Sequence, residues 1–170
     1  AEIDQWLAFF DVEPAWIACD LHPDFASTRA AERLARARGV PLLRVQHHHA
    51  HAASLLAEAG RDGPALAIVL DGFGYGADGS TWGGELLLAA REGFRRLACL
   101  APVAAVGGDA YARDPSRPAL AHLAAALGPG AADHPAAARL VADAARRRQL
   151  LALGSARGRP SHSAGRLFDA

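Results

Sequence analysis

The run from Ala65 to Leu70 (ALAIVL) constrains this chain more than any other stretch. It is continuous and apolar, the pattern expected of a strand buried on both faces in a sheet covered by helices. Its surroundings fit that reading. Residues 2–10 carry Ile3, Trp6, Leu7 and Phe10 at helical spacing, and residues 15–19 (AWIAC) read as a short strand running into Asp20. Residues 27–38 read as a helix with Ser27 as N-cap and Gly39 as stop. Pro41 leads into a strand from Leu42 to Val45, and a helix then runs from the histidines at 47 to about Ala59, stopped by Gly60. This alternation predicts an α/β domain. Beyond the run, residues 72–84 read as a glycine-rich loop. Leu86–Ala89 and Arg95–Leu100 read as antiparallel strands joined near Gly93. Residues 117–127 and 135–152 are alanine-rich helices, 154–165 is a loop, and Phe168 to Ala170 begin another helix.

The bulk numbers exclude several classes of partner. The chain has 170 residues, 51% hydrophobic, which suits a globular body of one-domain size. With 18 basic and 18 acidic residues, no net field recruits nucleic acid. No stretch approaches the roughly 20 apolar residues of a membrane helix, and the opening residues do not read as a secretory signal with a basic start and an apolar middle. Cys19 and Cys99 lie far apart in apolar surroundings and read as buried free thiols, which fits a cytoplasmic protein. There is no methionine, and all the basic residues are arginine. A missing start residue predicts a truncated chain, and the arginine bias makes incidental arginines common.

The run His47-His48-His49-Ala50-His51 carries most of the chemistry. On a helix, His47 and His51 (i, i+4) share one face, close enough to share an ion, while His48 and His51 form a weaker pair and His49 points elsewhere. Ala50, Ala52 and Ala53 keep the helix intact without crowding the site. Asp71, closing the apolar run, adds a carboxylate, and two imidazoles with a carboxylate are a common ligand set with open positions. The competing reading is a solvated helix start. His48 and His49 fit supporting or surface roles better than that of a base.

Gly74 to Gly79 formally match G-x-G-x-x-G, but no helix opens at this loop, so a dinucleotide fingerprint is rejected. The spaced acidic ligands of a calcium-binding EF-hand loop are also missing. The better reading is a carboxylate at a strand end followed by backbone that a ligand can approach closely.

The segments DLHPDFASTRAAERLA, VQHHHAHAASLLAE, VLDGFGYGADGSTWGGELL, VGGDAYARDPSRPAL and SAGRLFDA resemble the HypF-type carbamoyltransferases that mature [NiFe] hydrogenases. The resemblance spans almost the whole chain and falls in the Kae1-like domain. It implies an actin-like (ASKHA) fold, a mixed sheet flanked by helices, of which residues 1–170 form a part lacking N-terminal and C-terminal portions. It implies carbamoyl phosphate and ATP with magnesium as substrates, joined into a carbamoyl adenylate. The carbamoyl group then passes to the C-terminal cysteine thiol of a HypE-like acceptor protein for cyanide ligand synthesis. His47, His51 and Asp71 correspond to ligands of a divalent metal, with iron or zinc expected. Gly72, Gly74, Gly76, Asp109, Arg117, Ser163, Gly165 and Arg166 correspond to the side facing the nucleotide and carbamoyl adenylate. Two positions depart from the family pattern: Ser116 stands where a tryptophan is usual, and His162 where a small hydroxyl residue is usual.

In this picture the metal polarises the carbamoyl carbonyl or holds the phosphate of the mixed anhydride, and glycine-loop amides share the negative charge. The attacking thiolate belongs to the acceptor, so neither cysteine here is catalytic, and no Ser-His-Asp arrangement is legible. Three rivals share the histidine pair. One is an O-carbamoyltransferase acting on a small hydroxylated metabolite. Another is a tRNA threonylcarbamoyl-transferase relative, disfavoured by Asp71-Gly72-Phe73-Gly74 where that family has a Ser-Gly-Gly-His-Thr-like loop. The last is a non-catalytic metal-binding fragment.

Overall fold

The computed structural model describes residues 2–170. The chain forms two compact units, Ala1–Gln46 and His47–Ala170. In the first, α1 (Glu2–Phe9) precedes β1 (Ile17–Asp20), α2 (Ala26–Arg38) and β2 (Leu42–Val45). β1 and β2 pair in parallel, from Ile17 opposite Leu42 to Asp20 opposite Val45, with α2 as the crossover. Thr28, Ala31 and Ala35 bury one face of α2. Gly39 stops the helix in the left-handed region (φ 66°). Ser27 is not the N-cap. The turn before the helix is held by His22 N–H on Asp20 and Asp24 N–H on His22 Nδ1, so the chain enters α2 earlier, with Phe25 at the cap position.

The second unit runs α3 (His47–Glu58), β3 (Ala65–Tyr75), β4 (Thr81–Ala89), β5 (Phe94–Cys99), β6 (Val103–Ala105), α4 (Asp109–Arg113) and α5 (Ser116–Leu127). A 3₁₀ segment, Gly128–Asp133, then leads to α6 (Pro135–Leu140), α7 (Ala144–Arg157), β7 (Arg159–Ser161) and α8 (Ala164–Phe168). The sheet is mixed, in the order β3-β4-β7-β6, with β5 also on β4. β3, β4 and β5 form an antiparallel meander, while β7 meets β4 in parallel. Its α3-facing side packs Ala52, Val69, Trp82, Leu87 and Ala89 into one core, and Val106, Leu120, Ala137 and Leu150 make a second among the later helices. Among the described residues, no helix is long and apolar enough to cross a membrane.

Five expectations need correction. β3 is not buried on both faces: Leu66, Ile68 and Leu70 are 67%, 75% and 62% exposed. Strand alternation puts these three opposite the core residues Ala67 and Val69. The supposed loop at 72–84 is mostly strand. β3 continues through Tyr75, β4 starts at Thr81, and a short turn closed by Gly76 N–H on the Ser80 carbonyl joins them. The helix expected over 135–152 breaks at residues 141–143. There Asp143 caps α7, and buried Arg147 donates to the carbonyls of Val141 and Ala142 that the break leaves free. α7 then persists to Arg157, so the loop expected from 154 shrinks to little more than β7. Both cysteines are free, but Cys99, closing the outlying strand β5, is exposed and Cys19 is half-buried.

Candidate metal centre

α3 opens on the histidine run, and its small alanines let one turn bring two rings together edge to face. The His47 and His51 ring centres are 4.9 Å apart and their Nε2 atoms 3.3 Å apart. Asp71 reaches them from β3, with Oδ2 3.0 Å from His47 Nε2. One ligand atom from each of His47, His51 and Asp71 falls within 4.8 Å of the others. Two imidazoles and a carboxylate, converging and partly open to solvent, fit a divalent ion that keeps free coordination positions. A groove of about 550 Å³ opens beside them, lined by His51, Leu55, Leu56, Ile68, Leu70 and Asp71 among others.

Asp71 owes its aim to a β-bulge. Leu70 pairs with Gly84 and Gly74 with Trp82, so Asp71, Gly72 and Phe73 lie opposite Gly83 alone. Bulges re-aim side chains in this way beside functional sites. Gly83 is required by close approach, since a Cβ there would lie 2.4 Å from the Asp71 carbonyl oxygen. The other Asp71 oxygen, Oδ1, accepts from Gly72 N–H at 2.6 Å.

His48 backs the site from inside. It is fully buried, with Nε2 3.8 Å from Asp71 Oδ2. Its ring fills the space beside Gly74, where a Cβ would sit 2.1 Å from His48 Cε1. Burial pushes the His48 imidazole below its ordinary pKa, against the pull of Asp71 and Glu85. Trp82 lies 5.9 Å from His48, between it and the Arg96 guanidinium 4.1 Å from the indole centre. Arg96 donates to Glu85 Oε2 at 2.7 Å and to Asp78 Oδ2 at 3.1 Å. Asp78 also accepts from the Ser80 hydroxyl at 2.6 Å and the Trp82 indole at 3.0 Å. His49 does point elsewhere: its Nε2 is 2.8 Å from the Ala90 carbonyl and its ring stacks on Phe94, pinning α3 to the end of β4.

The residues expected at the nucleotide divide into two sets. Ser163, Gly165 and Arg166 do converge on the backbone of Asp71 and Gly72. Ser163 Oγ lies 3.1 Å from the Asp71 carbonyl and 2.9 Å from that of Gly72, and a Cβ on Gly165 would lie 2.6 Å from Gly72 Cα. The Arg166 guanidinium crosses Gly72 to reach the Ala112 carbonyl and Asp169. Gly74 and Gly76 leave room for the rings of His48 and Trp82. Arg117, by contrast, braces its own loop, lying against Gly107 and bonding Asp114 and the Val106 carbonyl. Asp109 is exposed and pairs with Arg113. The amides of Gly72, Gly76 and Gly79 donate within the chain, to Asp71, Ser80 and Gly76.

The sequence allowed His48 a supporting role, but it did not single out Trp82, Glu85 and Arg96 as the scaffold behind it. One signal was present: glycines at 72, 74 and 76 recur with the strand period of two, and glycine inside a strand marks close approach by a neighbour.

Comparison with known proteins bears on this geometry. Residues 1–58 match the family described as HypF Kae1-like domain, and residues 67–170 that described as Carbamoyltransferase, Kae1-like Domain, second subdomain. Carbamoyltransferase HypF of Rhodobacter capsulatus is 49% identical over 98% of this chain and 22% of its own length. That of Rhizobium leguminosarum bv. viciae is 41% identical over 96% of this chain and 21% of its own. The chain thus spans about a fifth of these relatives' length. A crystal structure of full-length HypF in a phosphate- and nucleotide-bound form superposes on 99% of this chain and 26% of its own, with TM-score 0.78 and 30% identity. The crystal structure of T. kodakarensis HypF covers 91% of this chain and 22% of its own, at TM-score 0.77 and 34% identity. Matched along nearly its whole length in both sequence and fold, the chain belongs to the HypF carbamoyltransferase family, within its Kae1-like domain.

Proposed function

We propose that this chain takes part in ATP-dependent carbamoyl transfer in [NiFe] hydrogenase maturation, with carbamoyl phosphate and ATP–magnesium as substrates and a HypE-like cysteine thiol as acceptor. The observation that carries the reading is the convergence of His47, His51 and Asp71 within 4.8 Å. The names of the relatives support the transferase class, and the phosphate- and nucleotide-bound state of one solved HypF fits such substrates.

His47, His51 and Asp71 would hold a divalent ion, iron or zinc, which when bound supplies Lewis-acid polarisation of the carbamoyl oxygen. His47 and His51 offer ring nitrogens and Asp71 a carboxylate oxygen, a donor set suited to a divalent cation. Fully buried His48 closes the inner side, so water and substrate approach only from the open face. Of Asp109 and Arg166, both expected at the nucleotide, Arg166, which lies against Gly72 beside Asp71, is the one whose position supports that role, while exposed Asp109 pairs with Arg113. In the transfer step the acceptor thiolate forms a C–S bond to the carbamoyl carbon, and the C–O bond to adenylate breaks with its electron pair leaving on the phosphate. This chain's own thiols need play no part.

The test is metal content and ATP-analogue affinity of the full chain, with His47→Ala and His51→Ala beside it. One bound ion, lost on either substitution and after chelation, is expected. Metal content that ignores both substitutions makes the histidine pair structural and refutes the mechanism.

A further inference from the structure

Ser163 is almost wholly buried, 3% exposed, and its hydroxyl is fully engaged. It shares its proton between the carbonyls of Asp71 and Gly72 at 3.1 and 2.9 Å, and accepts from Arg166 N–H at 3.1 Å. Those carbonyls belong to the bulge in which Asp71, Gly72 and Phe73 face Gly83 alone. A Cβ at Gly83 would lie 2.4 Å from the Asp71 carbonyl oxygen, so position 83 opposite the bulge has no room for a side chain that could donate there instead.

We propose that Ser163 is a positioning residue for the metal carboxylate, its hydroxyl clamping the bulge that aims Asp71 at His47 and His51. This role rests on the metal reading above and differs from a contact to nucleotide. Asp71 Oδ1 is held by the Gly72 amide, so the Asp71–Gly72 peptide sets the direction of Oδ2. The clamp acts on the carbonyls at both ends of that ligand-bearing stretch. Releasing them frees the peptide to rotate and takes Oδ2 away from His47. Groups that orient a ligand from outside the coordination sphere commonly govern metal affinity about 10–100-fold.

The experiment is titration of the full chain with Co²⁺, following its visible absorption, for wild type, Ser163→Ala and Ser163→Gly. Glycine at an N-cap preserves most of the helix start and so separates the clamp from the cap. Ser155→Ala serves as control, since that hydroxyl only back-bonds to Leu151 on α7. Both Ser163 variants should bind Co²⁺ about 10-fold or more weakly, with the spectrum moving towards that of Asp71→Asn. In an Asp71→Asn background the same changes should cost nothing further, because the ligand being aimed is already compromised. Wild-type affinity in whichever Ser163 variant folds, or an undiminished loss in the Asp71→Asn background, overturns the proposal. Wild-type protein that binds no Co²⁺ removes the metal reading and the proposal together. Binding that is lost in His47→Ala but untouched in Ser163→Gly removes the proposal alone.

Discussion

Gly74→Ala should be among the most damaging methyl additions in this chain. Its new Cβ would stand 2.1 Å from His48 Cε1, 2.8 Å from Nδ1 and 3.0 Å from Nε2. Carbon atoms prefer about 3.5–4.0 Å, so the ring must retreat by more than ~1 Å. It has nowhere to go, because His48 is fully buried and Trp82 beyond it is 4% exposed. Overpacking of this kind costs about 1–3 kcal/mol, and a clash this deep between ring and backbone belongs at the upper end. For a chain of this length that lowers the thermal midpoint by about 6–12 °C. Gly93→Ala, whose Cβ would meet nothing within 4 Å, is the control. Differential scanning calorimetry of both variants, with His48→Ala and the His48→Ala/Gly74→Ala pair, completes a double-mutant cycle. His48→Ala leaves a cavity and destabilises on its own, but adding Gly74→Ala to it should cost almost nothing more. A Gly74→Ala midpoint matching that of Gly93→Ala would refute the packing argument. So would a penalty undiminished by removing the His48 ring, since then the clash is not with His48.

Two further expectations concern the charges behind the site. Arg96→Met strands the Glu85 carboxylate, whose side chain is 0% exposed, without its cation, and should cost about 3–5 kcal/mol in urea unfolding. Arg148→Met, in an exposed pair with Asp133, should cost at most ~1 kcal/mol, and equal losses would remove the case for a buried pair. For Asp78, burial favours the neutral acid, but hydrogen bonds from Ser80 and Trp82 and the charge of Arg96 outweigh it and hold the pKa at about 2 against an ordinary 3.8. The folded state therefore binds this proton less readily than the unfolded one, so the contribution is complete above pH ~4 and lost as pH falls towards 2. Urea midpoints measured across that window should fall less steeply in Asp78→Asn than in wild type, and parallel curves would contradict the assignment.

Local signals made much of this molecule readable. The strand Leu42–Val45 and the start of α3 at His47 appear where punctuation and periodicity put them. The three candidate metal donors were legible because helical spacing fixes two of them and the carboxylate closing the apolar run supplies the third, although that carboxylate sits in a bulge inside β3 rather than at the strand's end. The errors share a cause, which is that tertiary partners changed the meaning of a residue type. Glycines at 72 and 74 suggest flexible backbone, yet here they make room for the Arg166 and His48 side chains inside a strand. The break before Asp143 depends on Arg147 capping carbonyls across it, which no local propensity reveals. Ser163 was placed at the site through family resemblance, but its work as a hydroxyl donor becomes visible only when β3 and α8 are brought together.

β3 hydrogen-bonds along one side only, to β4, among the described residues. Its other margin offers unpaired amides and carbonyls beside Leu66, Ile68 and Leu70, with no charge from Ala65 to Leu70 to act as a gatekeeper. Such a margin is a template for further strands, whether from a proper neighbour or from another molecule of the same kind. Handled by itself at high concentration, this polypeptide should therefore tend towards fibrillar or amorphous precipitate. The same strand that delivers Asp71 to the histidines is thus where colloidal stability is decided.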